Sequence, residues 1–335
     1  MSTIKKICVL VSIIFSSLAP ACAQTQPERY GFSISPLLGI LYGQGEEILY
    51  KYPGRDQYAS QLLWDLKPLV YTGLAVDFGP RNPFLDSGFI AAGSLKFGLP
   101  LKTGSIEDRD WMNSDHDWLT HYSLHEAYST NDILVDLSAG YSWRLTRSLV
   151  LGVGGEFSFM YLSWSGSNGY GQYPAGDDSG KYPPWNNNFP KIYFSGKNIL
   201  YTQFWFILSP GVSLKGRINS LISLQGYFNY SPLIYATARD DHLVPDSFYH
   251  GRSFGDYLYF GHYLKGGGKF ILSPRKNLDF SLSLSYRYLT GSRGPSYWKN
   301  TGVDVSNKVS KNYDGGAGYT ALDIELAVRI YVNAD

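Results

Sequence analysis

The chain has 335 residues, a net charge of +1 and only 17% charged residues, against about 25% in ordinary globular proteins. This balance leaves no basic footprint for nucleic acid, so we predict no nucleic-acid partner. Aromatic residues make up 16% of the chain, with 28 Tyr, and there are 36 Gly. So much tyrosine beside so little charge excludes most soluble classes and is typical of outer-membrane barrels, whose interfacial girdles are rich in tyrosine.

The first 23 residues are predicted to form a secretory signal peptide. Two lysines precede an apolar run at 7–18, and Ala21-Cys22-Ala23 supplies small residues for cleavage. The apolar run is too short to cross a bilayer as a helix. We therefore expect a signal peptide over 1–23 and one domain over 24–335.

Both cysteines, Cys8 and Cys22, lie in the predicted signal peptide. Their removal would exclude disulfides, cysteine–zinc sites and cysteine nucleophiles from the domain. Lipidation of Cys22 is an alternative, although the residues before it match the lipoprotein motif poorly.

Several segments beyond residue 23 alternate apolar and polar residues with a period of two. They include 133–143 and 222–230, and the most regular is 278–288, with the sequence LDFSLSLSYRY. Its Leu, Phe and Tyr residues share one face, and its Asp, Ser and Arg residues share the other. This pattern, apolar outward and polar inward over a membrane-crossing length, predicts transmembrane β-strands.

Polar connections of two lengths separate these strands. Short ones lie near 78–86, 145–148, 215–219 and 273–277. Long ones cover about 44–57, 104–130, 165–190, 237–255 and 291–315. Periplasmic turns are short and extracellular loops are long in outer-membrane barrels. We therefore predict an all-β fold, an antiparallel transmembrane barrel of about ten strands in the outer membrane, too narrow for an open pore.

Two predicted loops carry clusters of acidic residues. Asp108 and Asp110 are two positions apart, so on an extended segment both carboxylates point to one side and can share a proton. Asp240 and His242 share a face in the same way, and a carboxylate beside an imidazole orients it as a general base. A solvated loop or a weak calcium site would be the non-catalytic interpretation of such acids.

In a ten-stranded order, these two segments continue strands on opposite sides of the outer rim. They would face each other across a cleft and hold a water molecule between them. An Asp–His pair could deprotonate this water, and the facing acid pair could hold the water or the developing tetrahedral centre. This arrangement requires no cofactor, and we assign no metal ligands.

At these residues the chain resembles the omptin family of outer-membrane proteases. The resemblance rests on Asp108-Arg109-Asp110-Trp111-Met112, Asp240-Asp241-His242, Ser60-Gln61-Leu62-Leu63-Trp64 and Trp118, in the family's order and near its spacing. It implies a protruding ten-stranded barrel with endopeptidase activity toward bonds flanked by basic residues, acting on peptide or protein substrates. It also implies that Asp108 with Asp110, and Asp240 with His242, are the catalytic pairs.

Three departures from the family pattern concern specificity and lipid. Glu47 fits the glutamate of the acidic pocket for the residue before the cut, but its usual aspartate partner is Ala238. The acid that would favour a basic residue after the cut is Thr120, so a relaxed or shifted specificity is expected. Only Glu156 remains of the lipopolysaccharide-binding element, at 154–158, so we do not predict dependence on this lipid.

Two other functions compete with the protease. A non-catalytic adhesin or binding barrel would use the long aromatic loops for contact. A small channel is disfavoured because about ten strands leave little lumen. Loss of peptide cleavage on substitution of Asp240 or His242 would separate the protease from the binder.

Overall fold

The computed structural model describes residues 30–52, 56–243, 252–300 and 313–332. All regular elements in these ranges are β-strands. No helix in the described ranges has the length and hydropathy to cross a bilayer. The predicted signal peptide, with Cys8 and Cys22, lies outside the described residues.

Fifteen strand segments form one antiparallel sheet. In chain order they are β1 (Tyr30–Tyr50), β2 (Tyr58–Pro80), β3 (Gly88–Gly98), β4 (Lys102–Asp110), β5 (His121–Ser129), β6 (Ile133–Arg144), β7 (Leu149–Gln172), β8 (Ile192–Tyr193), β9 (Lys197–Arg217), β10 (Ile222–Ser231), β11 (Ile234–His242), β12 (Arg252–Tyr259), β13 (His262–Arg275), β14 (Leu278–Asn300) and β15 (Tyr313–Val332).

The segments combine into ten strands around a closed ring. Eight of the shorter segments lie end to end in twos, and each two together form one strand of the ring because both are hydrogen-bonded to the same long neighbour. They are β3 with β4 along β2, β5 with β6 along β7, β10 with β11 along β9, and β12 with β13 along β14. With the six long segments β1, β2, β7, β9, β14 and β15 they give ten. Closure comes from β15 against β1, with Ile40 opposite Ile324. The predicted antiparallel barrel is therefore confirmed.

The period-two pattern of 278–288 separates lipid from lumen as predicted. Phe280, Leu282 and Leu284 are 43–52% exposed on the outer face, whereas Ser283 and Arg287 are buried inside. Exposed apolar side chains in continuous rows would be costly in water, and a bilayer removes that cost. The part of the barrel nearest the short turns, called the lower part from here on, is thus the membrane-spanning part.

The strands are longer than a membrane requires. β7 has 24 residues, about 80 Å at ~3.3 Å per residue. At a tilt of about 40° it rises roughly 60 Å, more than twice the ~25 Å apolar band. The outward rings of Tyr235, Tyr257 and Tyr259, 37–47% exposed, form an aromatic belt at the outer interface. Strand residues beyond this belt stand outside the bilayer.

These protruding strands correct the predicted loop boundaries. The expected loop over 104–130 is mostly β4 and β5, leaving only 111–120 between strands, and half of the expected loop over 44–57 is the end of β1. Above the membrane water contacts the outer face instead of lipid, so that face does not need to be apolar and the alternation that marks a strand in the sequence is weaker there. The four short connections agree with prediction, at 81–87, 145–148, 218–221 and 276–277.

Charged side chains fill the lumen at mid-height. Arg287 lies 2.6 Å from Asp136, and a lysine, Lys265, lies 2.9 Å from Glu156. Above this ion-pair network, three fully buried aromatic side chains stack together: Trp64, Trp164 and Tyr201. Below it a cavity of about 440 Å³ lies toward the short turns. The filled lumen argues against the channel function.

Candidate active site

The predicted acid pair lies on β4, at the outer end of the barrel. Register pairs Asp110 with Ser60 of β2, and the Ser60 hydroxyl lies 3.5 Å from Oδ1 of Asp108. The same hydroxyl hydrogen-bonds to Asp110. Because residues two apart on a strand share a face, both carboxylates point to the lumen side and meet one donor.

The predicted Asp–His pair lies on β11. Oδ2 of Asp240 is 2.7 Å from Nε2 of His242, and Asp240 is only 3% exposed. Asp241, between them, points to the opposite face, where it pairs with Arg239 at 2.9 Å and accepts a hydrogen bond from Ser253. Strand alternation therefore assigns one acid of this run to the barrel mouth and the other to the outside. Asp240 stands five residues beyond Tyr235 of the aromatic belt, roughly 12 Å farther from the membrane.

The two pairs interact across the mouth of the barrel. Burial opposes the charge of His242, but Asp240, Asp108 and Asp110 outweigh it and raise the pKa of the imidazole to about 9. Burial also raises the pKa of Asp108 well above its usual range; Asp110 adds to this effect, and His242 opposes it. Burial raises the pKa of Asp110 to about 6. The four groups thus interact as one electrostatic unit across the barrel mouth.

Glu47, expected to bind substrate, lies on β1 beside this unit. It is 7% exposed, and its Oε2 has no hydrogen-bond partner among the described residues. Burial raises its pKa well above the usual range, and Asp240, Asp256 and Asp108 raise it further. Within the described ranges, no three His, Cys, Asp or Glu side chains are arranged to hold a metal ion. Glu47 and its acidic neighbours therefore form a buried cluster of carboxyl groups at the barrel mouth.

Three polar residues of the site were not predicted from the sequence. Ser60 belonged to a motif but had no assigned role, because only the β2–β4 register brings its hydroxyl to the acid pair. Asp256 is an inward acid on β12, and its charge raises the pKa of Glu47. Tyr173 follows β7, and burial and Asp108 both raise the pKa of its hydroxyl. No spacing rule would have found these side chains, since each contact joins segments far apart in the chain.

The structure gives two of the family departures a structural role. The Thr120 hydroxyl donates to the Asp110 carbonyl at 2.8 Å and accepts from the Met112 amide, so it closes the end of β4. Glu156 points into the lumen, where Lys265 donates to both of its carboxylate oxygens at 2.9 Å. That carboxylate therefore faces the lumen and not the outer surface of the barrel.

Comparisons with known proteins agree with this architecture. The Omptin family model matches residues 28–329. The chain is 26% identical over 325 residues to the plasminogen activator of Yersinia pestis, covering 93% of this chain and 96% of that protein. Its fold matches the crystal structure of the outer membrane protease OmpT from Escherichia coli with a TM-score of 0.76 at 18% identity, covering 90% and 97% of the two chains. From the match to nearly the whole barrel, the chain belongs to the omptin family of outer-membrane proteases.

Proposed function

We propose that the protein is an endopeptidase that hydrolyses peptide bonds of surface or extracellular polypeptides with a water activated at the barrel mouth. The observation that carries the proposal is the 2.7 Å contact between Asp240 and His242, together with the action of Asp108 and Asp110 on the same imidazole. Nucleophilic serine or cysteine chemistry is not required by this arrangement.

The Asp–His pair supplies the general base. His242 takes a proton from the water while its oxygen attacks the peptide carbonyl carbon, and Asp240 holds the ring and stabilises the imidazolium. The imidazolium then gives the proton to the leaving nitrogen as the carbon–nitrogen bond breaks. Because the raised pKa of His242 keeps the resting ring protonated, the reactive form is the one in which the site has lost one proton.

The acid pair supplies the complementary function. Burial raises the pKa of both Asp108 and Asp110, which favours a proton shared between them, so one carboxyl can donate a hydrogen bond to the oxygen that becomes negative in the tetrahedral intermediate. The other carboxylate can hold the attacking water. Ser60 fixes both groups from β2.

The relatives support hydrolysis as the activity. One is named a plasminogen activator and the other an outer membrane protease. Their similarity covers the barrel from end to end, including the strands that carry the four groups.

The test is cleavage of a broad peptide library by refolded protein, with and without added lipopolysaccharide. Asp240→Ala and His242→Ala should each abolish cleavage. The folded barrel should persist in both variants, seen as a heat-modifiable mobility in gel electrophoresis, where the folded and the heat-denatured protein migrate differently. Glu107→Gln is the matched control, since Glu107 pairs with Arg109 on the other face of β4 from the acid pair. Failure of the unmodified protein to cleave any peptide under both conditions would favour the adhesin.

A further inference from the structure

The position of Asp256 relative to Ala238 is fixed by strand pairing. β11 and β12 are antiparallel neighbours, and their register sets Ala238 directly opposite Asp256. Directly opposed residues on paired strands point to the same face of the sheet, with Cβ atoms about 5 Å apart. The side that lacks a carboxylate at 238 therefore carries one on the adjacent strand, at the same height.

Asp256 is built into the wall of the site. It is 2% exposed, and the Ser296 hydroxyl on β14 hydrogen-bonds to it. Its carboxyl carbon occupies the space that a Cβ at position 315 would fill, so the glycine there makes room for the acid. Its Oδ1 has no hydrogen-bond partner among the described residues. Ser296 thus holds the carboxyl group in place, while Oδ1 remains able to accept a hydrogen bond.

Two further carboxylates share the same interior space. Glu47 Oε2 and Asp240 Oδ1 also have no hydrogen-bond partner in the described part of the chain. Asp240 and Asp256 are the strongest charged influences on Glu47, ahead of Asp108, and all of them are acids. Burial raises the pKa of Asp256 to about 7, a change that Ser296 opposes and Asp240 reinforces.

Such an arrangement is costly unless a cation enters it. Burying carboxylates close together costs free energy unless opposite charge balances them, and Glu47, Asp240 and Asp256 each have one oxygen without a hydrogen-bond partner among the described residues. A guanidinium or ammonium group offers several donors and a positive charge, and a guanidinium can bridge two carboxylates. Tyr201, stacked on Trp64 with ring centroids 4.8 Å apart, borders the acids as an apolar wall.

We infer that Asp256 determines specificity, forming with Glu47 an anionic pocket for the arginine or lysine side chain that precedes the cleaved bond. The inference rests on the proposed hydrolysis and names a residue of its substrate site. Asp256 supplies from β12 the charge that is missing at Ala238 on β11. Preference for a basic residue before the cut is thus retained, and relaxation is confined to the position after the cut, where Thr120 carries no charge.

A pair of peptides that differ by one charge tests the pocket. One carries arginine before the cut, and the other carries citrulline, its neutral isostere. The unmodified protein should show a kcat/KM for arginine at least ~100-fold above that for citrulline. Asp256→Asn should lower this ratio at least ~10-fold through the arginine peptide alone, because only that peptide loses an ion pair. Glu107→Gln should leave the ratio unchanged.

The second part of the experiment moves the carboxylate from Asp256 to position 238. Ala238→Asp combined with Asp256→Ala moves the carboxylate across the strand pair, and it should restore most of the ratio. Gly315→Ala keeps every charge but displaces the Asp256 carboxyl, so it should lower the ratio as Asp256→Asn does. It also serves as the test if Asp256→Asn does not assemble. Equal loss for both peptides, or an unchanged ratio in Asp256→Asn, would overturn the inference.

Binding without cleavage separates this inference from the proposed function. Calorimetric titration with agmatine, a small guanidinium probe, should show saturable binding that Asp256→Asn weakens at least ~10-fold. If no peptide is cleaved, hydrolysis fails as the function, and the titration alone then decides for or against the pocket. If peptides are cleaved with no preference for arginine over citrulline, hydrolysis stands and the pocket is wrong.

Discussion

Arg287 donates a hydrogen bond to Asp136 at 2.6 Å inside the barrel, where the arginine is 2% exposed. Buried charge at mid-height is thus balanced by opposite charge. At the mouth, by contrast, Glu47 and Asp256 are surrounded most strongly by other acids. The two levels of the lumen therefore differ in their charges: the lower one pairs acids with basic side chains, and the upper one brings acids together.

The lower network should be a determinant of stability. Arg287→Ala leaves Asp136 buried with one partner fewer, and breaking a buried pair in this way costs about 3–5 kcal/mol. We expect a lower temperature for loss of heat-modifiable mobility, with normal cleavage per folded molecule at low temperature. The double variant Asp136→Asn, Arg287→Met should recover much of the loss. Equal stability of Arg287→Ala and the unmodified protein would contradict this role.

The charge of His242 should depend on acids from both strands. Replacing Asp108 or Asp110 by Asn removes a carboxylate that raises the imidazole pKa, so the pKa should fall from about 9 toward the ordinary value of about 6.5. Asp240→Asn should lower it most, since that residue contributes both charge and a hydrogen bond. NMR titration of histidine-labelled protein measures each value. An unchanged His242 titration in Asp108→Asn would show that the two pairs do not interact.

The membrane-spanning strands and the acid pair could be predicted from the sequence for one physical reason. Lipid on one side and lumen on the other impose a period of two on 278–288, and the same period aligns Asp108 with Asp110. Above the membrane that contrast is absent, because water contacts the outer face. The strand Lys102–Asp110 therefore looked like a loop.

Contacts between strands could not be predicted from the sequence in the same way. Ala238 and Asp256 are opposite only because β11 and β12 pair in one register across residues 243–251. A shift of one residue would turn Asp256 to the outside. The sequence therefore gives no indication that an aspartate, Asp256, lies opposite Ala238.

Ser60 should act as a positioning residue for the acid pair. Its hydroxyl favours the ionised forms of Asp108 and Asp110, so Ser60→Ala should raise both pKa values and move the acid limb of the kcat/KM profile to higher pH. Loss of a hydrogen bond to a charged group costs about 1.5–3 kcal/mol, which corresponds to a decrease of at least ~10-fold in kcat. Ser60→Thr keeps the hydroxyl and should restore the profile. A uniform decrease with no pH shift would indicate a structural role only.

The acid pair should also reduce the stability of the barrel at neutral pH. The pKa of Asp110 is about 6 in the folded protein, against an ordinary value of 3.8. The folded state therefore binds the proton more tightly, and stability from this group decreases as pH rises from about 4 to 6. Asp110→Asn removes the penalty, so it should raise the thermal midpoint by a few degrees at pH 8 and leave it nearly unchanged at pH 4.

Cleavage should be lost in the same Asp110→Asn variant, so stability and activity move in opposite directions. Thermal midpoints of heat-modifiable mobility at the two pH values, measured in one detergent, provide the comparison. Glu107→Gln is the control because its carboxylate pairs with Arg109 outside the mouth, and it should give no gain at pH 8. An equal gain at pH 4 and pH 8 for Asp110→Asn would mean that ionisation of this carboxyl is not what strains the folded barrel.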